Sequence, residues 1–114
     1  MKREFISTAI FLKRWNELGF NDDDLRKLEN FMLENLFAGD VIVGTGGLKK
    51  LRWALPDTGK SGGVRILTVD FASYKTIILI NCYGKREKDT ISDQEKAMYK
   101  ALIKEIEKSL RGRS

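Results

Sequence analysis

The stretch GVRILTVDFASYKTIILINCY, residues 63–83, decides the fold. Two runs rich in β-branched and apolar residues, Gly63–Phe71 and Thr76–Tyr83, flank a short turn at Ala72–Lys75, so they predict two consecutive antiparallel strands. Both are apolar almost throughout. A strand with one wet face alternates, whereas these runs do not, which predicts central strands covered on both faces. Cys82, the sole cysteine, lies inside the second run; a disulfide within the chain is impossible and a buried thiol is expected.

Upstream, Gly44-Thr45-Gly46-Gly47 opens the strand region, and Lys49–Leu55 predicts a third strand, joined to Gly63–Phe71 by a loop around Pro56–Gly62. By the two-residue period, Lys50, Arg52 and Ala54 share one side of it and Leu51, Trp53 and Leu55 the other. The same period places Ile77, Leu79, Asn81, Tyr83 and Lys85 on one face of the last strand. Lys2–Ile6 reads as a short edge strand. Ser7 is then the expected cap of a helix carrying Thr8, Phe11, Trp15 and Leu18 on one side and ending at Gly19. Asn21 and the acids Asp22–Asp24 suit the start of a second helix, with Leu25, Leu28, Met32 and Leu36 at helical spacing. A last helix is announced by the capping box Ser92-Asp93-Gln94-Glu95, with Tyr99, Ile103, Ile106 and Leu110 as its apolar stripe opposite Lys100, Lys104, Glu107 and Lys108. The pattern predicts one α+β domain over residues 1–114.

Charge narrows the function. The chain carries 21 basic and 16 acidic residues, net +5, and nine of the basic residues fall between Lys49 and Lys88 against three acids there. That segment is +6 and the remainder −1. Concentrated positive charge of this kind suits a phosphate-bearing partner; a solvated basic face is the alternative. With no histidine, the usual proton shuttle and zinc ligand are missing, and one cysteine cannot build a thiolate site. The basic middle holds only Asp57, Asp70 and Glu87 as acids, too few locally for a magnesium site. Thr58-Gly59-Lys60-Ser61 has the letters of a phosphate-loop ending but neither the earlier glycine nor the following helix. The apolar stretch Ala9–Leu12 is broken at once by Lys13 and Arg14, unlike a signal peptide, and no segment has the length of a membrane span; a cytoplasmic protein is expected.

What remains is a set of cations and one tyrosine at strand ends and in a loop. Arg65 opens an otherwise apolar strand, where a charge is costly unless it lines a cleft or meets an anion; an ion pair with Asp70 or a helix acid is the structural alternative. Such a set can cleave RNA without metal, because the substrate brings its own nucleophile, the ribose 2′-hydroxyl. Arginine and lysine stabilise the extra charge at phosphorus, a lysine crowded by like charges can accept a proton, and Tyr83 can stack on a base or orient the hydroxyl.

The segments Gly44-Thr45-Gly46-Gly47-Leu48-Lys49-Lys50-Leu51-Arg52-Trp53-Ala54, Gly59-Lys60-Ser61-Gly62-Gly63-Val64-Arg65 and Tyr83-Gly84-Lys85 with Glu87-Lys88, in this order, closely resemble the RelE/ParE toxin superfamily, in particular its HigB-like branch. Glu4-Phe5-Ile6 and Ser92–Glu95 extend the likeness over nearly the whole chain. The resemblance implies a RelE-like fold, with two N-terminal helices on a small curved antiparallel sheet followed by a C-terminal helix. It implies a type II toxin that cuts mRNA in the ribosomal A site without metal or other cofactor, leaving a cyclic phosphate and a 5′-hydroxyl, and a neighbouring helix-turn-helix antitoxin similar to HigA. The family's catalytic cleft would fall on Arg65 and Lys60 for the phosphate and Lys85 or Tyr83 for the 2′-hydroxyl. Lys49, Lys50, Arg52 and Lys88 would hold the RNA. Typical RelE proteins carry part of the site on a short C-terminal segment, whereas here a long helix follows Ser92 and only Arg111 and Arg113 stand in the tail. ParE proteins resemble RelE in fold but poison DNA gyrase, so gyrase inhibition and non-catalytic ribosome binding are the competing expectations.

Overall fold

In the computed structural model, residues 2–53, 63–84 and 90–112 are described. The two apolar runs pair as expected: β4 (Val64–Phe71) and β5 (Thr76–Gly84) are antiparallel, joined by a 3₁₀ turn at Ala72–Tyr74. Lys75 closes the turn at φ 51°. β3 (Lys49–Trp53) flanks β4, and β1 (Glu4–Ser7) flanks β5. A two-residue strand, β2 (Asp40–Val41), pairs with Lys49 and Lys50 and gives the order β1-β5-β4-β3-β2.

Two features depart from expectation. β1 runs parallel to β5, so the sheet is mixed and only β2 to β5 are mutually antiparallel. The sheet also begins before Gly44, because β2 is too short to generate an alternating pattern. Gly39 admits β2 by adopting φ 94°, and a Cβ there would stand 3.2 Å from the Lys50 carbonyl oxygen.

α1 (Ala9–Glu17) and α2 (Asp22–Glu34) cover one face of the sheet, and α3 (Asp93–Arg111) the other. Under α1 and α2 lie Phe11, Trp15, Leu28, Met32, Leu51, Val64, Ile66, Ile77, Leu79 and Cys82. Trp15 stacks between Phe11 and Phe20 at 5.5 and 4.3 Å, and its indole donates to the Asn21 carbonyl. Under α3 lie Leu48, Leu67, Val69, Ile78, Ile80 and Tyr83, against Tyr99 and Ile103. Burial of nearly all of β4 and β5 explains their lack of alternation. The Cys82 thiol is buried, as its apolar neighbours predict.

The helix starts were legible with one shift. Asn21 and Asp24 form a reciprocal capping box on α2, and Ser92 and Glu95 form another on α3. α1 is capped by Thr8, not Ser7. Ser7 is the last residue of β1, opposite Leu79, and its backbone is committed to the ladder. Thr8 Oγ1 accepts from Phe11 N at 3.0 Å and donates to the Ile80 carbonyl at 2.7 Å, tying helix to strand. α2 stops at Glu34, so Leu36 packs on the core from beyond the helix.

A β-bulge decides the arrangement of the functional face. Leu67 opposes Asn81 while Thr68 opposes Leu79, leaving Ile80 as the additional residue. The single face predicted for Ile77, Leu79, Asn81 and Tyr83 is therefore split. Ile77 and Leu79 face α1 and α2, whereas Asn81 and Tyr83 face α3.

Candidate nucleic-acid interface

Three predicted residues meet in one row across the sheet. Arg52 of β3 pairs with Arg65 of β4, and Arg65 pairs with Tyr83 of β5, so the three side chains share the α3 face at the same level. Burial grades across the row: Arg52 is exposed, Arg65 is 2% exposed and Tyr83 is 5% exposed. Two arginines side by side repel, and a phosphodiester laid along the row would offset that repulsion. Lys50, opposite Leu67, follows one step behind Arg52 on the same face.

Lys49 stands apart. Strand alternation turns it to the α2 side, where its ammonium donates to the Leu36 carbonyl at 3.3 Å, just past the end of α2. It does not join the row. Lys60, Lys85 and Lys88 lie outside the described residues, although Lys85 follows directly on Gly84, the last residue of β5.

The ion pair between Arg65 and Asp70 does not form. Asp70 lies five residues along β4, about 17 Å at strand rise, and it is taken by Arg3, whose Nε donates at 2.9 Å and whose Nη2 donates at 3.3 Å. That hydrogen bond, ahead of simple charge attraction, raises the Arg3 pKa above its ordinary value against the effect of burial. Arg3 thereby staples β1 to β4 across β5.

Beside the row, a cleft of about 360 Å³ opens between α1 and α3 over the end of β5. Ile10 and Arg14 line it from α1, Asn81 and Tyr83 from β5, and Ile91, Glu95 and Tyr99 from the α3 side. Arg14 Nε donates to the Cys82 carbonyl at 3.4 Å, and Asn81 Nδ2 donates to Tyr99 Oη at 3.1 Å. Of the cleft residues Tyr83 is a sequence-predicted site residue, whereas sequence reasoning missed Arg14, Asn81 and Tyr99 as site candidates. Arg14 looks like any solvated helix cation, and Tyr99 fits the apolar stripe of α3. Asn81 did carry a signal: a lone amide within Ile77–Cys82 must find buried partners. Among the described residues, no three of His, Cys, Asp and Glu converge, and no helix is long and apolar enough to cross a membrane.

A family profile described as the RelE toxin of the RelE / RelB toxin-antitoxin system matches residues 4–112. Among solved structures, this chain is similar to a double arginine-to-alanine mutant of the E. coli toxin RelE in the free state. The match has a TM-score of 0.56 at 15% identity and covers 77% of this chain and 88% of that one. At that identity the structural likeness speaks for the fold. The profile match, running almost from end to end, identifies the chain as a member of the RelE family of toxins from toxin-antitoxin systems.

Proposed function

We propose that this RelE-family toxin is a ribosome-dependent mRNA endoribonuclease of the HigB-like kind, acting in the cytoplasm and stopping translation by cutting the transcript in the A site. The observation that carries the reading is the cross-strand row Arg52–Arg65–Tyr83. In it the exposed Arg52 guanidinium, where a backbone phosphate can be held, leads from solvent toward the buried Arg65 and Tyr83, in a chain with no histidine.

In the proposed step, the ribose 2′-oxygen attacks the adjacent phosphorus and the bond to the 5′-oxygen breaks. A 2′,3′-cyclic phosphate and a 5′-hydroxyl remain. The 2′ proton passes to a base on the enzyme, and the departing 5′-oxygen receives one in return. Arg65, with Lys60, neutralises the charge that builds up on the phosphoryl oxygens; Tyr83 or Lys85 orients and deprotonates the 2′-hydroxyl; Arg52, Lys50 and Lys88 grip the backbone. No step is assigned to a metal or cofactor. Lys49 belongs with them only as a more distant contributor to the field, since its ammonium is engaged on the opposite face. The antitoxin partner is proposed to be of the helix-turn-helix, HigA-like type and to present acidic residues to the row.

The test is to supply the protein with translating ribosomes and map new 5′ ends. Cuts within codons, absent from ribosome-free RNA and reduced in Arg52→Ala, are expected. Cutting of free RNA only on addition of magnesium would overturn the mechanism. Intact transcripts accompanied by DNA-damage signals would replace it with gyrase inhibition.

A further inference from the structure

We propose that the cleft between α1 and α3 receives one nucleobase of the bound RNA and thereby sets the base preference of the cut. The inference rests on the RNA-cleaving reading above.

The cleft exists because β5 outruns its neighbour. β1 ends at Ser7, opposite Leu79, while β5 continues to Gly84. An uncovered strand edge ordinarily invites another strand, but this one is sealed by side chains. Thr8 Oγ1 donates to the Ile80 carbonyl, Arg14 Nε donates to the Cys82 carbonyl, and the Cys82 amide donates to Asn81 Oδ1 at 2.8 Å. With these groups satisfied, the cleft suits a flat group entering from solvent better than an added strand.

Its chemistry is that of a base site. Ile10 and Ile91 supply apolar walls, and Ile10 is 54% exposed at the mouth, where it serves no core. The Asn81 amide has two N–H donors and two acceptor lone pairs. One donor goes to Tyr99 Oη and one lone pair takes the Cys82 amide, leaving one of each. A nucleobase edge presents that complementary pair, donor beside acceptor. Glu95, the acid on the wall, is turned to its own helix start: Oε1 accepts from Ser92 N at 3.1 Å and Ser92 Oγ at 3.0 Å.

Size and position agree. A cavity of about 360 Å³ stands at the lower end of the roughly 300–1,000 Å³ of small-ligand pockets, which suits one base better than a protein segment. Tyr83 belongs both to the cleft and to the row with Arg65, so a base seated beside it leads its own phosphate toward the arginines.

Side-chain amide signals of the whole protein, labelled with ¹⁵N, are to be followed during titration with each of the four nucleoside 3′-monophosphates, with inorganic phosphate as control. At least one nucleotide is expected to move the Asn81 amide saturably, phosphate alone is not, and Ile10→Trp, which plugs the mouth from a largely exposed position, is expected to abolish the shift. An unmoved Asn81, or equal shifts with phosphate, overturns the inference. On ribosomes, Ile10→Trp should change the base distribution at the cut by about fivefold or more at one position. Cutting with an unchanged distribution removes the base site and leaves the nuclease standing. If the unaltered protein makes no cuts, the nuclease reading falls, and the titration still decides the cleft.

Discussion

Arg52 and Arg65 are direct cross-strand neighbours, each the register partner of the other in the antiparallel pair β3/β4. Like charges in that relation destabilise a sheet by a few tenths of a kcal/mol up to about 1. Arg52→Ala should therefore leave stability unchanged or raise it by about 0.5 kcal/mol while weakening RNA binding. Thermal melts check the first effect. The logarithmic salt dependence of RNA affinity, shallower by roughly one phosphate contact, checks the second.

Arg65 is 2% exposed within a central strand, so its truncation does more than remove charge. Arg65→Ala should cost about 2–4 kcal/mol through the cavity it leaves, measured by urea unfolding. Arg65→Lys keeps the cation and much of the volume but loses the planar fork. Transcript cutting should fall at least about tenfold in Arg65→Lys, the loss of one bidentate contact. Full activity in that variant would mean that a point charge is sufficient.

Tyr99 Oη receives the Asn81 amide at 3.1 Å and so joins α3 to β5 at the bulge. Tyr99→Phe removes the acceptor and leaves that N–H short of a partner. A loss of about 1 kcal/mol is expected in chemical denaturation.

Glu29, on the partly buried side of α2, has its carboxyl pKa raised above the ordinary 4.5 by desolvation, with Arg26 pulling the other way. Between the unfolded value and the raised folded one, the native state holds more protons than the unfolded chain. Stability therefore falls as pH rises through that window, and the ionised carboxylate is a small net cost at neutral pH. Glu29→Gln should melt slightly above the unaltered protein at pH 7, and the difference should vanish below about pH 4, where Glu29 is protonated in both states. Paired melts at the two pH values check the sign.

Thr8 both caps α1 and bonds to the Ile80 carbonyl, whereas Ser7 ends β1. Thr8→Ala should cost about 1–2 kcal/mol, and Ser7→Ala should cost less, within about 0.5 kcal/mol as for a residue without such a role. Equilibrium unfolding of the two variants side by side would reveal a reversed order.

Much of this architecture is written locally. The runs Val64–Phe71 and Thr76–Gly84 identify themselves by unbroken apolar character, and Asn21/Asp24 and Ser92/Glu95 by acceptors spaced to reach the first free amides of a helix. β2 escaped because two residues carry no period. The face of Tyr83 was misassigned relative to Ile77 because nothing in Ile77–Tyr83 marks Ile80 as the additional residue of a bulge.

The order of residues along this chain was enough for its class of fold, its concentration of cations and the chemistries that a chain without histidine forgoes, since each depends on composition or on spacing within one element. Which cations stand together was settled by folding. Pairing β3 with β4 brought Arg52 to Arg65, the bulge carried Tyr83 to the same face, alternation sent Lys49 to the other, and the early end of β1 opened the cleft where Asn81 meets Tyr99. Register and strand length emerge from contacts between segments distant in sequence, and a two-residue period cannot anticipate a strand that gains a residue its partner lacks.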